Sequence, residues 1–217
     1  TVRCRRAKRW RGTRAAAADY SAAEGSDLTG LHYARVDAAD TAAVEGWQPP
    51  FATLDVLVLS QGIVIYDRGE YANAGFARVI DVNLNSVMAC ALKFEKMLKA
   101  SRGALITVSS TAAFHSTRGN PAYNASKAGV VGLTRTLGDA WSRSGVRVNG
   151  IAPGLVDTKL TKVTTGNPQR LEASLKGIPL GRLGTPQDMA GVALFLASPL
   201  SAYVVGQTIP VDGGLIL

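Results

Sequence analysis

Tyr123 and Lys127 stand four residues apart in a stretch that reads as the start of a helix, so their side chains face the same way. A Lys ammonium beside a phenol favours the phenolate and lowers a Tyr pKa from its usual value of about 10. A phenol tuned in this way can exchange a proton with an alcohol or carbonyl oxygen near neutral pH. Ser110 precedes the tyrosine by thirteen residues and falls at the end of an apolar run. Its hydroxyl could hydrogen-bond the same substrate oxygen and stabilise charge developing there. Taken singly, the Tyr–Lys pair also fits a surface i,i+4 pair, and the serine fits a turn or helix cap.

The elements that must hold these residues follow from the hydrophobic pattern. Residues 31–36 (LHYARV), 55–59 (DVLVL), 104–108 (ALITV) and 146–151 (VRVNGI) are short β-branched or apolar runs, as expected of strands buried on both faces. Helices are expected between them. Residues 76–98 carry Phe76, Ile80, Leu84, Val87, Ala91, Phe94 and Leu98 at steps of three and four. Residues 123–141 follow Pro121, and a further helix runs from a Thr185 N-cap and Pro186 to about residue 196. A last strand lies near residues 207–211. The alternation predicts an α/β fold with a doubly wound parallel sheet, Rossmann-like and flanked by helices. Ligands of such sheets bind at the carboxyl ends of the strands, which directs attention to Asp37, Ser60, Gln61, Gly62, Ser109, Ser110, Pro153 and Gly154.

Length and composition narrow the classes. A chain of 217 residues, nearly half of them hydrophobic, is compatible with one α/β domain. No run approaches the roughly 18 apolar residues of a membrane helix, and no signal-peptide core follows the basic start. Cys4 and Cys90 give neither a disulfide framework nor metal-ligand spacing. His32 and His115 lack ligating neighbours, so no metal is expected, and no G-x-S-x-G elbow surrounds Ser110. The expectation is a cytoplasmic protein. The net charge of +8 is concentrated in Arg3, Arg5, Arg6, Lys8, Arg9, Arg11 and Arg14, which leaves 17 basic against 16 acidic residues elsewhere. That is a short basic arm on a nearly neutral domain, and it argues against a nucleic-acid surface.

With these motifs assembled, residues 37–217 resemble a classical short-chain dehydrogenase/reductase of the ketoacyl-reductase-like type. The resemblance rests on ITVSS followed by YNASK, on Pro153-Gly154 with Thr158 four residues after the glycine, on Arg182, Gly184, Pro186 and Asp188 in an RxGxPxD stretch, and on a closing VDGG at Val211 to Gly214. It implies an NAD(P)-dependent oxidoreductase that interconverts a secondary alcohol and a ketone, with NAD or NADP as cofactor. Tyr123 would be the general acid/base and Ser110 would polarise the substrate oxygen. Lys127 would lower the Tyr pKa and hold the nicotinamide ribose, and Asn83 would anchor a helix–water link in a proton relay. By the same resemblance Asp37 would meet the adenine, Ser60 and Gly62 would lie along the cofactor, and Pro153, Gly154, Val156 and Thr158 would surround the nicotinamide. Residues 160–177 would form a substrate lid, and the chain would assemble as a homotetramer or dimer on a small-molecule substrate.

Two departures stand against the resemblance. The opening strand and TGxxxGxG turn that would cradle a pyrophosphate are missing, since Gly12, Gly25 and Gly30 are the only glycines before Leu31. Residues 1–30 are therefore expected to be a basic arm with a remnant of an N-terminal unit, with Thr1–Cys4 (TVRC) as the candidate remnant strand, ahead of a single domain at 31–217. A missing central strand would leave unpaired backbone in mid-sheet. If Thr1–Cys4 stood for the second strand, Arg5 and Arg6 would favour a 2′-phosphate. The second departure is Leu59-Ser60-Gln61-Gly62 where similar proteins carry NNAG. The alternative function is a cofactor-impaired family member acting as a binding or structural protein.

Overall fold

The structure, a computed structural model, describes residues 13–16 and 32–217. The first strands are β1 (Thr13–Ala16) and β2 (His32–Arg35), joined as a two-stranded parallel sheet. A second parallel sheet has the order β3-β4-β5-β6, from β3 (Val56–Leu59), β4 (Ala104–Val108), β5 (Arg147–Pro153) and β6 (Thr208–Val211). Helix α1 (Thr41–Gly46) follows β2 and is capped by the Asp40 carboxylate, which accepts from Ala43 N at 3.0 Å. Helices α2 (Asn73–Ile80) and α3 (Ser86–Ser101) are continuous through a wider π-helical turn at Asp81–Asn85. Helix α4 (Pro121–Ser142) lies between β4 and β5, and α5 (Lys162–Thr165), α6 (Pro168–Lys176) and α7 (Pro186–Ala197) lie between β5 and β6.

The two faces of the larger sheet are covered by different helices. Leu105 and Val148 point towards Val87, Ala91 and Leu98 of α3 and Val130, Leu137 and Trp141 of α4. Ile106 and Ile151 point the other way, against Leu196, Phe195 and Val192 of α7. Consecutive residues on opposite faces are what a doubly wound sheet requires. Helix α1 joins the first layer through Val44. Helix α7 begins as its sequence predicts: Thr185 accepts from Asp188 N at 3.2 Å, and the Asp188 carboxylate accepts from Thr185 N at 2.8 Å.

Some boundaries differ from expectation. The helix expected at 76–98 is longer at both ends and interrupted at its middle by the π-turn. An Ala-rich stretch, poor in strand formers, nonetheless gives β1, so pairing with β2 rather than propensity sets its conformation. No ladder joins the two sheets among the described residues. The candidate remnant at Thr1–Cys4, the arginines beside it and the other residues of 1–12 and 17–31 lie outside the described residues. Among the described residues no helix is long and apolar enough to cross a membrane.

Candidate active site

The carboxyl ends of β3, β4 and β5 lie side by side, because parallel pairing in register puts Leu59 opposite Thr107 and Val108 opposite Ile151. The residues that leave those ends meet the first two turns of α4, which Pro121 starts at its first position. Ser109 ties the two together: its buried hydroxyl donates to the Lys127 carbonyl at 2.8 Å.

Ser110, Tyr123 and Lys127 converge there. The Ser110 hydroxyl lies close enough to the Tyr123 phenol to lower its pKa, and it accepts from Ala112 N at 3.1 Å, which holds its rotamer. The Lys127 ammonium is buried, lies 5.7 Å from the Tyr123 ring centroid and donates to the Val108 carbonyl at 2.9 Å. That is its only acceptor in the described residues, so two of its three protons are left unused in a buried setting.

Asn83 braces the opposite wall. Fully buried on the π-turn, it accepts from Ile63 N at 2.7 Å and donates to the Ile63 carbonyl at 2.9 Å and to Ser126 Oγ at 3.1 Å. Its side chain is thus a satisfied core amide that locks the loop after β3 to α4. Gly62 leaves room at this spot, since a Cβ there would sit 3.2 Å from Lys127 Nζ and 3.4 Å from Asn83 Oδ1 and press on both. Gln61 in the same turn donates to Ser86 Oγ at 3.0 Å and so braces α3.

The electrostatics differ from the sequence expectation at Tyr123. Burial raises the phenol above its ordinary value; the Ser110 hydrogen bond works against that rise, and the charges of Tyr66 and Glu70 add to it. Burial also pushes Lys127 down to about 8. A net lowering of the phenol, as the Tyr–Lys spacing suggested, is not what the buried setting gives: desolvation is the largest influence on Tyr123 and raises it, while the Lys127 ammonium donates to the Val108 carbonyl.

The other expected residues are dispersed around this centre. Asp37 is half-buried just after β2, where its carboxylate accepts from Ala39 N at 3.0 Å. Ser60 is exposed at the end of β3. Pro153 ends β5, and Gly154 is demanded by packing, since a Cβ would lie 2.6 Å from the Asp212 Cβ. Val156 is buried and bridges to Gly184, whereas Thr158 is exposed and its N–H donates to Thr161 Oγ1 at 3.0 Å. The expected lid folds as α5 and α6, and the Tyr66 hydroxyl donates to its Leu160 carbonyl at 2.8 Å. Sequence reasoning missed Tyr66 and Glu70. Glu70 is fully buried and accepts from Tyr123 N at 2.8 Å, and nothing in the local pattern marks it as an interior carboxylate.

Comparison with known proteins places this arrangement in a wide group. A family profile described as enoyl-(acyl carrier protein) reductase matches residues 12–216. The 3-oxoacyl-[acyl-carrier-protein] reductase FabG of Chlamydia muridarum is 37% identical over 198 residues, covering 88% of this chain and 79% of that protein. The 2-dehydro-3-deoxy-D-gluconate 5-dehydrogenase of Bacillus subtilis is 40% identical over 163 residues, covering 74% and 64%. Among solved structures, Pseudomonas aeruginosa RhlG in complex with NADP superposes with a TM-score of 0.80 at 31% identity, over 85% of this chain and 77% of that one. A gluconate 5-dehydrogenase from Burkholderia cenocepacia, with NADP and tartrate, gives a TM-score of 0.80 at 29% identity over 86% and 75%.

Proposed function

This chain belongs to the short-chain dehydrogenase/reductase family, and we propose that within it the chain reduces a ketone to a secondary alcohol, and can run the reverse, with NADP or NAD as the hydride carrier. The observation that carries the reading is the convergence of Ser110, Tyr123 and Lys127 at the ends of β4 and α4. Relatives crystallised with NADP support the choice of carrier.

The residues present fit the nicotinamide–ribose end of such a carrier. Lys127 offers two unused N–H groups from a buried ammonium, a donor set suited to ribose hydroxyls. Gly62 keeps the wall beside that ammonium free of a side chain. Pro153, Gly154, Val156 and Thr158 lie along the exit of β5, where the carboxamide would be held. When bound, the nicotinamide supplies or accepts the hydride.

The remaining work falls to side chains of this chain. Tyr123, kept protonated at neutral pH by burial, donates its proton to the carbonyl oxygen as the carbon takes up hydride. Ser110, beside the phenol, donates its hydroxyl proton to the same substrate oxygen, so both donors aim at the charge that develops there. Lys127 keeps a positive charge beneath the ring and stabilises the phenolate left when the proton is given up. Asn83 holds the site's walls together through Ile63 and Ser126.

The alternative, a cofactor-impaired member that binds or scaffolds, is favoured by one observation: among the described residues no ladder joins the two sheets. Turnover distinguishes the two. With NADPH and a panel of ketones, the chain should form secondary alcohols, and Tyr123→Phe should lower kcat by about 10²–10⁴-fold. A variant within tenfold of the parent would refute the role given to Tyr123.

A further inference from the structure

Glu70 has the burial of a core residue and the charge of a surface one. Its side chain is fully buried, and no Lys, Arg or His forms an ion pair with it among the described residues. Instead three neutral N–H groups converge on it. Oε1 accepts from Ile65 N at 3.1 Å and from Asn120 Nδ2 at 3.2 Å, and Oε2 accepts from Tyr123 N at 2.8 Å.

These donors come from two separate segments. Ile65 belongs to the loop after β3, whose earlier residue Ile63 is gripped on both its N–H and its carbonyl by Asn83. Tyr123 occupies the third helical position of α4, and its N–H is one of the first four that find no partner inside a helix. Asn120 is the N-cap residue of α4, yet its own side chain makes no capping bond and donates instead to Glu70 and to the Ile65 carbonyl at 3.1 Å. The cap of α4 is therefore supplied from another part of the chain. A carboxylate suits the place for two reasons: it accepts several N–H groups without bringing a donor of its own, and its charge complements a helix N-terminus. The loop is shaped to deliver it, with Asp67 and Arg68 left-handed at φ 55° and 60° just before the turn at Gly69–Tyr71.

Resting on the reaction proposed above, we infer that Glu70 is a positioning residue: its buried carboxylate caps α4 at Tyr123 and fixes the phenol where the proton is delivered. The charge acts on the same phenol. The ionisable groups on the elements packed about Glu70 are Tyr66, Asp67, Arg68 and Tyr71 on its own loop, Arg78 on α2, and Tyr123, Lys127, Arg135 and Asp139 on α4. Asp67, Arg68 and Arg78 are exposed, and Glu70 raises both tyrosines towards their protonated forms. Removing the negative charge must then lower the pH at which Tyr123 ionises.

The test reads that ionisation without any cofactor. Tyrosinate absorbance is titrated in the parent chain and in Glu70→Gln, each against its Tyr123→Phe counterpart, so that the difference isolates one phenol. The Tyr123 midpoint should move to lower pH in E70Q. With NADPH and a reducible ketone, kcat should fall by about tenfold or more while KM for the ketone changes by less than about threefold, as expected when a reacting group is misplaced without loss of a binding contact. A midpoint that stays at the parent pH in folded E70Q overturns the inference. A midpoint that moves while the parent chain turns over no ketone upholds the Glu70 contact and overturns the proposed reaction instead. If E70Q does not fold, Glu70→Asp takes its place. That shorter carboxylate keeps the charge but cannot span Ile65 and Tyr123 together, so kcat should drop with the midpoint near the parent's. A kcat within about twofold of the parent would overturn the inference.

Discussion

Replacing Lys127 by methionine should stabilise the fold at neutral pH while ending turnover. Burial lowers this ammonium from 10.5 to about 8, and a tenfold change in proton affinity corresponds to about 1.4 kcal/mol. The charged form therefore costs about 3 kcal/mol of stability at neutral pH. Methionine is similar in length and apolar, so it removes that cost. It also removes the bond to the Val108 carbonyl, a loss of ~1–2 kcal/mol. The net gain is then about 1–2 kcal/mol, or a rise in Tm of ~2–8 °C for a chain of this size. The sign of the pH dependence follows from the direction of the shift. A lysine whose folded pKa is depressed pays its full penalty below about 8, and the penalty fades as pH rises from there towards 10.5. Thermal melts of parent and K127M at pH 7 and pH 9.5 should show the advantage of the variant shrinking at the higher pH. A variant less stable than the parent at pH 7, or a difference independent of pH, would refute the reasoning.

Two further outcomes follow from single contacts. Gly154→Ala places a Cβ 2.6 Å from the Asp212 Cβ and 2.8 Å from its Cα; backbone must move, and the urea midpoint should fall by the equivalent of ~1–3 kcal/mol. Tyr66→Phe removes the hydroxyl that holds the Leu160 carbonyl, so amides of residues 160–166 should exchange faster and KM for the ketone should rise with kcat little changed.

The parts of the fold that sequence foretold are those with dense local signals. Residues 104–108 form a short run of apolar and β-branched residues and appear as β4 without adjustment. Pro121 and Pro186 mark helix starts because their missing N–H costs nothing there. β1 was illegible, since alanines carry no strand signal and its partner decides its conformation. The π-turn was equally hidden: an apolar stripe at steps of three and four does not report a single extra residue in the winding. At the site, residue types and order sufficed to bring Ser110, Tyr123 and Lys127 together. At Tyr123 the sequence shows the nearby ammonium but not the burial that raises the phenol. Glu70 escaped notice for a related reason, as its donors Asn120 and Tyr123 are about fifty residues away in the chain.

The central claim is that this chain holds a nicotinamide cofactor against Tyr123 although its sequence carries no TGxxxGxG turn. A fluorescence titration of the chain with NADPH and with NADH, with ketone turnover followed in the parent and in Tyr123→Phe, tests it directly. The account predicts saturable binding in the micromolar range and turnover that collapses in the variant. Absence of binding up to millimolar cofactor would contradict it and leave a family member with its proton-transfer residues in place and no means to use them.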